Sequence, residues 1–209
     1  INLAEKTYPQ LYPYLSTCKS PQGMMGALVK RYFAKAHGID PRDIVHVSVM
    51  PCVAKKDEAA RPQLQFTVTG ADGQDVSVRE TDYVLTTREL ANLIKSEDVH
   101  FNSLSEQPYD RLMGESSGGA VLFGVTGGVM EAALRGAVEY VTGKEFGPVD
   151  FEAVRGLDSK TGGIREAKID VEGTKLSVAV AHGTKNVRQV VDAVLAGDQK
   201  WKNFHLIEV

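Results

Sequence analysis

Cysteine is scarce in this sequence: 209 residues carry two, Cys18 and Cys52. That number excludes a disulfide framework, and their separation lacks the CxxC spacing of a zinc knuckle or a thioredoxin-like site. A reducing compartment is the simpler reading, so the cytoplasm is expected, with the periplasm as the alternative. Basic charge is not in surplus either. Lys and Arg total 24 against 27 Asp and Glu, for a formal net charge of −3. Nothing is left over to neutralise phosphates, which argues against nucleic acid as the main partner. No stretch approaches the ~18 consecutive apolar residues of a transmembrane helix, and no charged-then-apolar leader opens the chain, so a membrane role is not expected. The five histidines, at 37, 46, 100, 182 and 205, show no HExxH or paired spacing, and imidazole metal binding has no support. Internal repeats and low-complexity tracts are also missing.

What is present is an ordinary globular balance, 43% hydrophobic and 24% charged, with enough apolar material for a core. One domain, or two lobes with a boundary within about 97–125, is expected from this length. Ser20 is a good N-cap and Pro21 suits a first helical position, which predicts a helix to His37 closed by Gly38. Met24, Leu28, Val29, Tyr32 and Phe33 supply its expected buried face. "DIVHVSVMP" alternates apolar and polar residues and predicts a strand over 44–50. Short strands are expected over 76–78 and 83–85. Thr86 with Glu89 three residues on forms a capping box opening a helix through Lys95.

Residues 96–119 show no sustained period and predict a long loop. A glycine-rich turn then feeds a helix over 128–142, ended by Gly143. Further on, a strand over 151–155, a hairpin about Glu172 and Gly173, a helix over 187–195 and a last strand over 204–209 complete the pattern. Helices alternating with strands predict α/β layers, with mixed, largely parallel sheets flanked by helices.

Cys52 follows the 44–50 strand in "VMPCVAKKDEAARPQ". At the carboxyl end of a strand, where α/β folds place ligands, a thiolate can bind a soft metal or act as a nucleophile. The alternative is a buried structural thiol. Pro51 stiffens the approach, and Lys55 is placed to stabilise a thiolate or bind an anion. By itself the run Lys55, Lys56, Asp57, Glu58 reads as a solvated loop, and Met24, Met25 and Met50 read as core packing. "FGVTGG" lacks both the GxxxxGK[ST] order and the GxGxxG spacing of nucleotide sites.

Three stretches taken together resemble a known family: "STCKSPQGMMGA", "VMPCVAKKDEAARPQ" and "FGVTGGVMEAALR". They closely resemble the catalytic domain of the iron-only (FeFe) hydrogenases. "TTREL", "VRGL" and the closing "FHLIEV" are similar to that family in order and spacing, so the resemblance covers the whole chain.

The resemblance implies an enzyme that interconverts protons and electrons with dihydrogen at a six-iron H-cluster, a 4Fe–4S cubane joined to a di-iron subcluster. Ferredoxin or a similar one-electron carrier is the implied partner. By motif, Cys52 would be one of the four cubane thiolates, for which thiolate is the suitable donor. Lys55 matches the lysine that donates to a cyanide of the di-iron unit. Ser20, Pro21 and Gln22 match residues lining the opposite side of that pocket, Pro51 belongs to the same MPC element, and Met50 and Phe123 would add apolar wall. Ser16 falls where the family carries a hydroxyl of its proton relay. Cys18 matches no ligand position and reads as structural.

The family's remaining cubane ligands lie in TSCCP and ACxGGC motifs, neither of which is present. The chain is therefore expected to be the central part of a catalytic domain, inactive alone. A non-catalytic iron–sulfur assembly or scaffold relative, or a hydrogen sensor, is the alternative.

Overall fold

The computed structural model describes residues 1–70, 73–144 and 163–209. The strand expected over 151–155 and the "VRGL" stretch lie outside the described residues. The chain divides into two compact units, one made of Ile1–Leu15 with Gly114–Val209 and the other of Ser16–Met113.

Helix α1 (Asn2–Thr7) opens the first unit, followed by a 3-10 segment, Pro9–Tyr14. Burial, then a hydrogen bond to Asp192, raises the Tyr8 hydroxyl above its ordinary pKa, which ties this segment to the later part of the same unit.

The Ser16–Met113 unit begins with a helical run whose cap was legible: Ser20 Oγ accepts from Gly23 N, and α2 (Pro21–Ala27) starts on Pro21. The run widens to a π-helix over Leu28–Phe33 and tightens into α3 (Ala34–His37), closed by Gly38 at φ 64°. Its buried side is not the expected apolar stripe. Gln22, Gly23, Gly26, Val29, Lys30 and Ala34 are buried, whereas Met24, Leu28 and Tyr32 are exposed. Close packing explains this. A Cβ on Gly26 would lie 2.7 Å from the Glu80 carbonyl oxygen, so the helix meets its neighbours through residues without bulk. The buried polar groups have partners, as they must. Lys30 pairs with Asp82 at 2.8 Å, and Glu80 takes both Lys19 at 2.6 Å and Arg31 at 2.8 Å. The Arg31 guanidinium also lies over the Phe66 ring at 4.3 Å.

Strand β1 (Val47–Met50) is followed by α4 (Ala54–Ala59), the antiparallel pair β2 (Gln65–Thr69) and β3 (Asp75–Arg79), and β4 (Tyr83–Thr86). β4 returns parallel to β1 with Met50 opposite Thr86. The sequence reading lacked β2, although Phe66 and Val68 alternate with polar neighbours. Helix α5 (Thr87–Ser96) carries the expected capping box, with Glu89 N bonded to Thr86 Oγ1 and Thr86 N to Glu89 Oε2. Apart from a 3-10 turn, Phe101–Ser103, the segment to Ser117 has no helix or strand.

In the other unit, α6 (Gly118–Leu122) turns into α7 (Gly128–Thr142), which ends on Gly143. α7 lies on a sheet of β5 (Ile164–Val171), β6 (Thr174–Ala181) and β7 (Leu206–Glu208), with β5 antiparallel and β7 parallel to β6. Glu172 at φ 49° and Gly173 at φ 89° form the hairpin turn. Met130 and Leu134 of α7 close on Ile169, Val178 and Val180, each buried aliphatic side chain contributing roughly 1.5–3 kcal/mol. Glu208 Oε2 accepts the Met130 N–H at 2.6 Å, fixing β7 to the start of α7. Helices α8 (Thr184–Leu195) and α9 (Gln199–Lys202) link β6 to β7. Among the described residues the β1–β4 sheet is thus parallel, the β2–β3 sheet antiparallel and the β5–β6–β7 sheet mixed.

Candidate functional site: an exposed thiol beside a network of donors

β1 ends at Met50, and Pro51 carries the chain out of the sheet into an exposed Cys52. The alternative of a buried structural thiol is therefore overturned. Proline has no N–H to extend the ladder, so pairing stops there. The Cys52 carbonyl accepts from Lys55 N at 3.2 Å, and Val53 O from Lys56 N at 3.0 Å, which starts α4 immediately after the thiol. The charged run expected to be a solvated loop is this helix. Its charges are compensated in pairs: Lys55 with Glu58 at 2.7 Å and Lys56 with Glu89 at 2.6 Å.

α2 faces α4 through two separate links. In one, Ser20 Oγ donates to Glu58 Oε1 while Glu58 Oε2 takes Lys55 Nζ. In the other, Gln22 Nε2 donates to the Lys55 carbonyl at 3.2 Å, and Gln22 Oε1 accepts from Ser48 Oγ at 2.9 Å. Three of the expected site residues, Ser20, Gln22 and Lys55, are thereby joined by hydrogen bonds, and Lys55 follows Cys52 by three residues. Pro21 is exposed at the first turn of α2, and Met50 is half-buried at the end of β1. Pro51 and Val53, which flank Cys52 in the chain, line a surface hollow of about 300 Å³ with Thr86, Thr87 and Arg88.

Ser16 belongs to the same unit; its exposed hydroxyl accepts from Cys18 N at 3.1 Å. Cys18, expected to be structural, is exposed. Met24 and Met25, expected in the core, are 41% and 46% exposed. Phe123, 41% exposed, caps α6 in the other unit. The reading from sequence missed Glu58 and Ser48. Glu58 carried a signal, because an i,i+3 Lys–Glu pair meets on one face once the run is a helix; Ser48 carried none.

The sequence model of one protein family, described as "Iron only hydrogenase large subunit, C-terminal domain", matches residues 1–209. The chain belongs to that family. It is 51% identical over 205 residues to the periplasmic Fe hydrogenase large subunit of Nitratidesulfovibrio vulgaris, covering 98% of this chain and 45% of that protein. It is 40% identical over 209 residues to iron hydrogenase 1 of Clostridium pasteurianum, covering 100% of the chain and 34% of the relative. Cytosolic iron-sulfur assembly component 3 of Mus musculus is more distant, 34% identical over 99% of the chain and 41% of its own length. Among solved structures, the apo FeFe-hydrogenase of Chlamydomonas reinhardtii in its C377H variant matches with a TM-score of 0.70 and 37% identity, over 100% of this chain and 55% of that one. This member of the iron-only hydrogenase family therefore spans about half, or less, of the length of these relatives.

A 4Fe–4S cubane takes four cysteine thiolates. Among the described residues no three His, Cys, Asp or Glu side chains converge as a metal site. The residues present fit one corner of such a cluster, through the exposed Cys52, and not a complete cage. Beyond Cys52, the Lys55 ammonium and the Ser20 hydroxyl are joined through Glu58, and the Gln22 amide bonds the Lys55 backbone carbonyl.

Proposed function

We propose that this chain is the central part of a hydrogenase catalytic domain that, in the complete protein, catalyses the reversible reduction of protons to dihydrogen. The observation that carries the reading is the joining of the "SPQ" turn to the "MPCVAKK" segment, through Gln22 on the Lys55 carbonyl and Glu58 between Ser20 and Lys55. Donors near a ligand cysteine tune iron–sulfur clusters in general, so the weight rests on finding this cation, hydroxyl and amide together on the two family motifs. Their joint presence favours the enzyme over the assembly reading that the mouse relative's name suggests.

When bound, the H-cluster supplies the redox chemistry that interconverts protons and electrons with dihydrogen. Within this chain, Cys52 would hold one cubane iron by its thiolate. Lys55 Nζ would hold an anionic ligand of the di-iron unit as a compact positive charge. Ser20, Pro21, Gln22, Met50 and Pro51 would form the surrounding wall, with the apolar members keeping water out. Ser16 Oγ, which both accepts and donates, would pass a proton. The other thiolates would come from the TSCCP and ACxGGC motifs flanking this segment in the complete protein, and ferredoxin or a similar carrier would supply electrons. We place the protein in the cytoplasm, with the periplasm, which the name of the Nitratidesulfovibrio vulgaris relative suggests, as the alternative.

The test is hydrogen evolution by the full-length protein after anaerobic reconstitution, alongside Cys52→Ala. The unaltered protein should evolve hydrogen, and Cys52→Ala should lose both the cubane signal and the activity. Wild-type turnover by Cys52→Ala would refute the ligand assignment. A protein that takes up four-iron clusters, refuses the di-iron unit and evolves no hydrogen would be an assembly relative instead. Cell fractionation tests the compartment, and a periplasmic fraction would replace the cytoplasmic assignment.

A further inference from the structure

Glu58 is unassigned by the reading above, yet among the described residues its side chain is the one bonded to both Ser20 and Lys55. Its two oxygens are divided: Oε1 accepts the Ser20 hydroxyl and Oε2 accepts Lys55 Nζ at 2.7 Å. Ser20 has a single hydroxyl proton, and its oxygen also accepts from Gly23 N at 3.3 Å as the cap of α2. Donating to Glu58 and accepting from Gly23 fix that hydroxyl at both ends.

Lys55 has three N–H donors. One goes to Glu58, and no other described residue accepts from the remaining two. The ammonium is thus anchored through one donor with two left over for a ligand, and its position is set by a carboxylate on its own helix face. The pair is neither buried nor fully wet, with side-chain exposures of 27% for Lys55 and 23% for Glu58. The residue facing it on α2 is Gly23, where a Cβ would approach Glu58 Oε1 to 3.7 Å and Lys19 Cβ to 3.0 Å. The carboxylate would meet such a Cβ at ordinary contact distance, and only the Lys19 side chain would be crowded.

Stability alone is a poor reason for this arrangement, since partly exposed ion pairs contribute little. Geometry is the better one. We propose that Glu58 is a positioning residue that holds Lys55 and Ser20 as one preorganised donor unit for the di-iron cofactor, resting on the hydrogenase reading for the identity of that cofactor.

The first test needs no cofactor. In the full-length apoprotein, brief acylation with acetic anhydride followed by peptide mass spectrometry reports how freely each lysine amine reacts. Glu58→Gln should raise the rate at Lys55 about two- to fivefold, the range a weak pair allows, and leave Lys56 unchanged because its partner is Glu89. An unchanged Lys55 rate in a Glu58→Gln protein with wild-type circular dichroism would overturn the proposal. Should that variant fail to fold, Glu58→Asp decides in the same assay, since a shorter carboxylate must also loosen Lys55.

The second test loads the full-length protein with the di-iron unit and records the infrared cyanide stretches. Glu58→Gln should shift them while keeping the di-iron unit bound. A purely structural Glu58 would lower the melting temperature and leave those bands in place. If the unaltered protein takes up no di-iron unit, the hydrogenase reading falls, while the acylation result still decides whether Glu58 positions Lys55.

Discussion

Ser48 on β1 and Gln22 on α2 share a hydrogen bond inside the Ser16–Met113 unit: Ser48 Oγ donates to Gln22 Oε1 at 2.9 Å, and both residues are buried. The opposite end of the Gln22 amide donates to the Lys55 carbonyl. One side chain thus sets the separation of β1, α2 and α4, the helix that follows Cys52. Ser48→Ala leaves the Gln22 oxygen buried without its donor, which costs roughly 1–3 kcal/mol. Urea unfolding should show this loss, and adding Gln22→Met should recover part of it by removing the stranded acceptor. A Ser48→Ala protein as stable as the parent would mean that Gln22 finds another donor.

Gly26 is needed for bulk, not for backbone freedom. A Cβ there would sit 2.7 Å from Glu80 O, 2.8 Å from Thr81 Oγ1 and 3.0 Å from Glu80 C, and the two backbone atoms have little room to give. Overpacking of this kind typically costs about 1–3 kcal/mol. Gly26→Ala should therefore lower the denaturation midpoint, although alanine favours helix more than glycine. A stabilised Gly26→Ala would show that α2 shifts freely against β3 and β4.

What the sequence made legible was local. Thr86 and Glu89, Ser20 and Pro21, and Glu172 and Gly173 each bring their own turn or cap chemistry, so they identified α5, the start of α2 and the β5–β6 hairpin without tertiary information. The buried side of the α2 run was not legible, because Gly26 faces inward on account of Glu80, 54 residues away, and Lys30 on account of Asp82. The π-helical turn over Leu28–Phe33 has no local marker either. At the site, the family motifs named Cys52, Lys55, Ser20 and Gln22. Glu58 was passed over because the charged run Lys55 to Glu58 looks like a solvated loop until Ala54–Ala59 is seen to be helical.

Both cysteines are exposed and free. The native chain should therefore react with Ellman's reagent at two thiols without denaturant. Loss of one equivalent in Cys18→Ser and of the other in Cys52→Ala would assign them. A thiol that reacts only after unfolding would contradict the exposure found here.

Lys55→Ala tests the cation directly. On the proposed function, the variant should keep the four-iron cluster, which depends on thiolates, and lose most of the di-iron unit, which depends on donors to its anionic ligands. Iron content and infrared spectra of the reconstituted full-length protein separate the two. Equal di-iron occupancy in Lys55→Ala and parent would remove Lys55 from the site.

The capping box of α5 makes a prediction about acid. The Lys56 ammonium, then the Thr86 backbone N–H and hydroxyl, hold the Glu89 carboxyl at about 2, below its ordinary 4.5. A carboxyl with a depressed folded-state pKa stabilises the fold fully above its ordinary value, and the contribution disappears as the pH falls through the folded one. The start of α5 should accordingly weaken between about 4.5 and 2, and Glu89→Gln should remove that pH dependence. Because the Lys56 hydrogen bond is the largest cause, Lys56→Ala should raise the Glu89 midpoint more than Thr86→Ala, which leaves the backbone N–H in place. Carbon-detected NMR titration of the Glu89 side chain reads both shifts. A midpoint that stays near 2 in Lys56→Ala would transfer the effect from the α4–α5 ion pair to the cap alone.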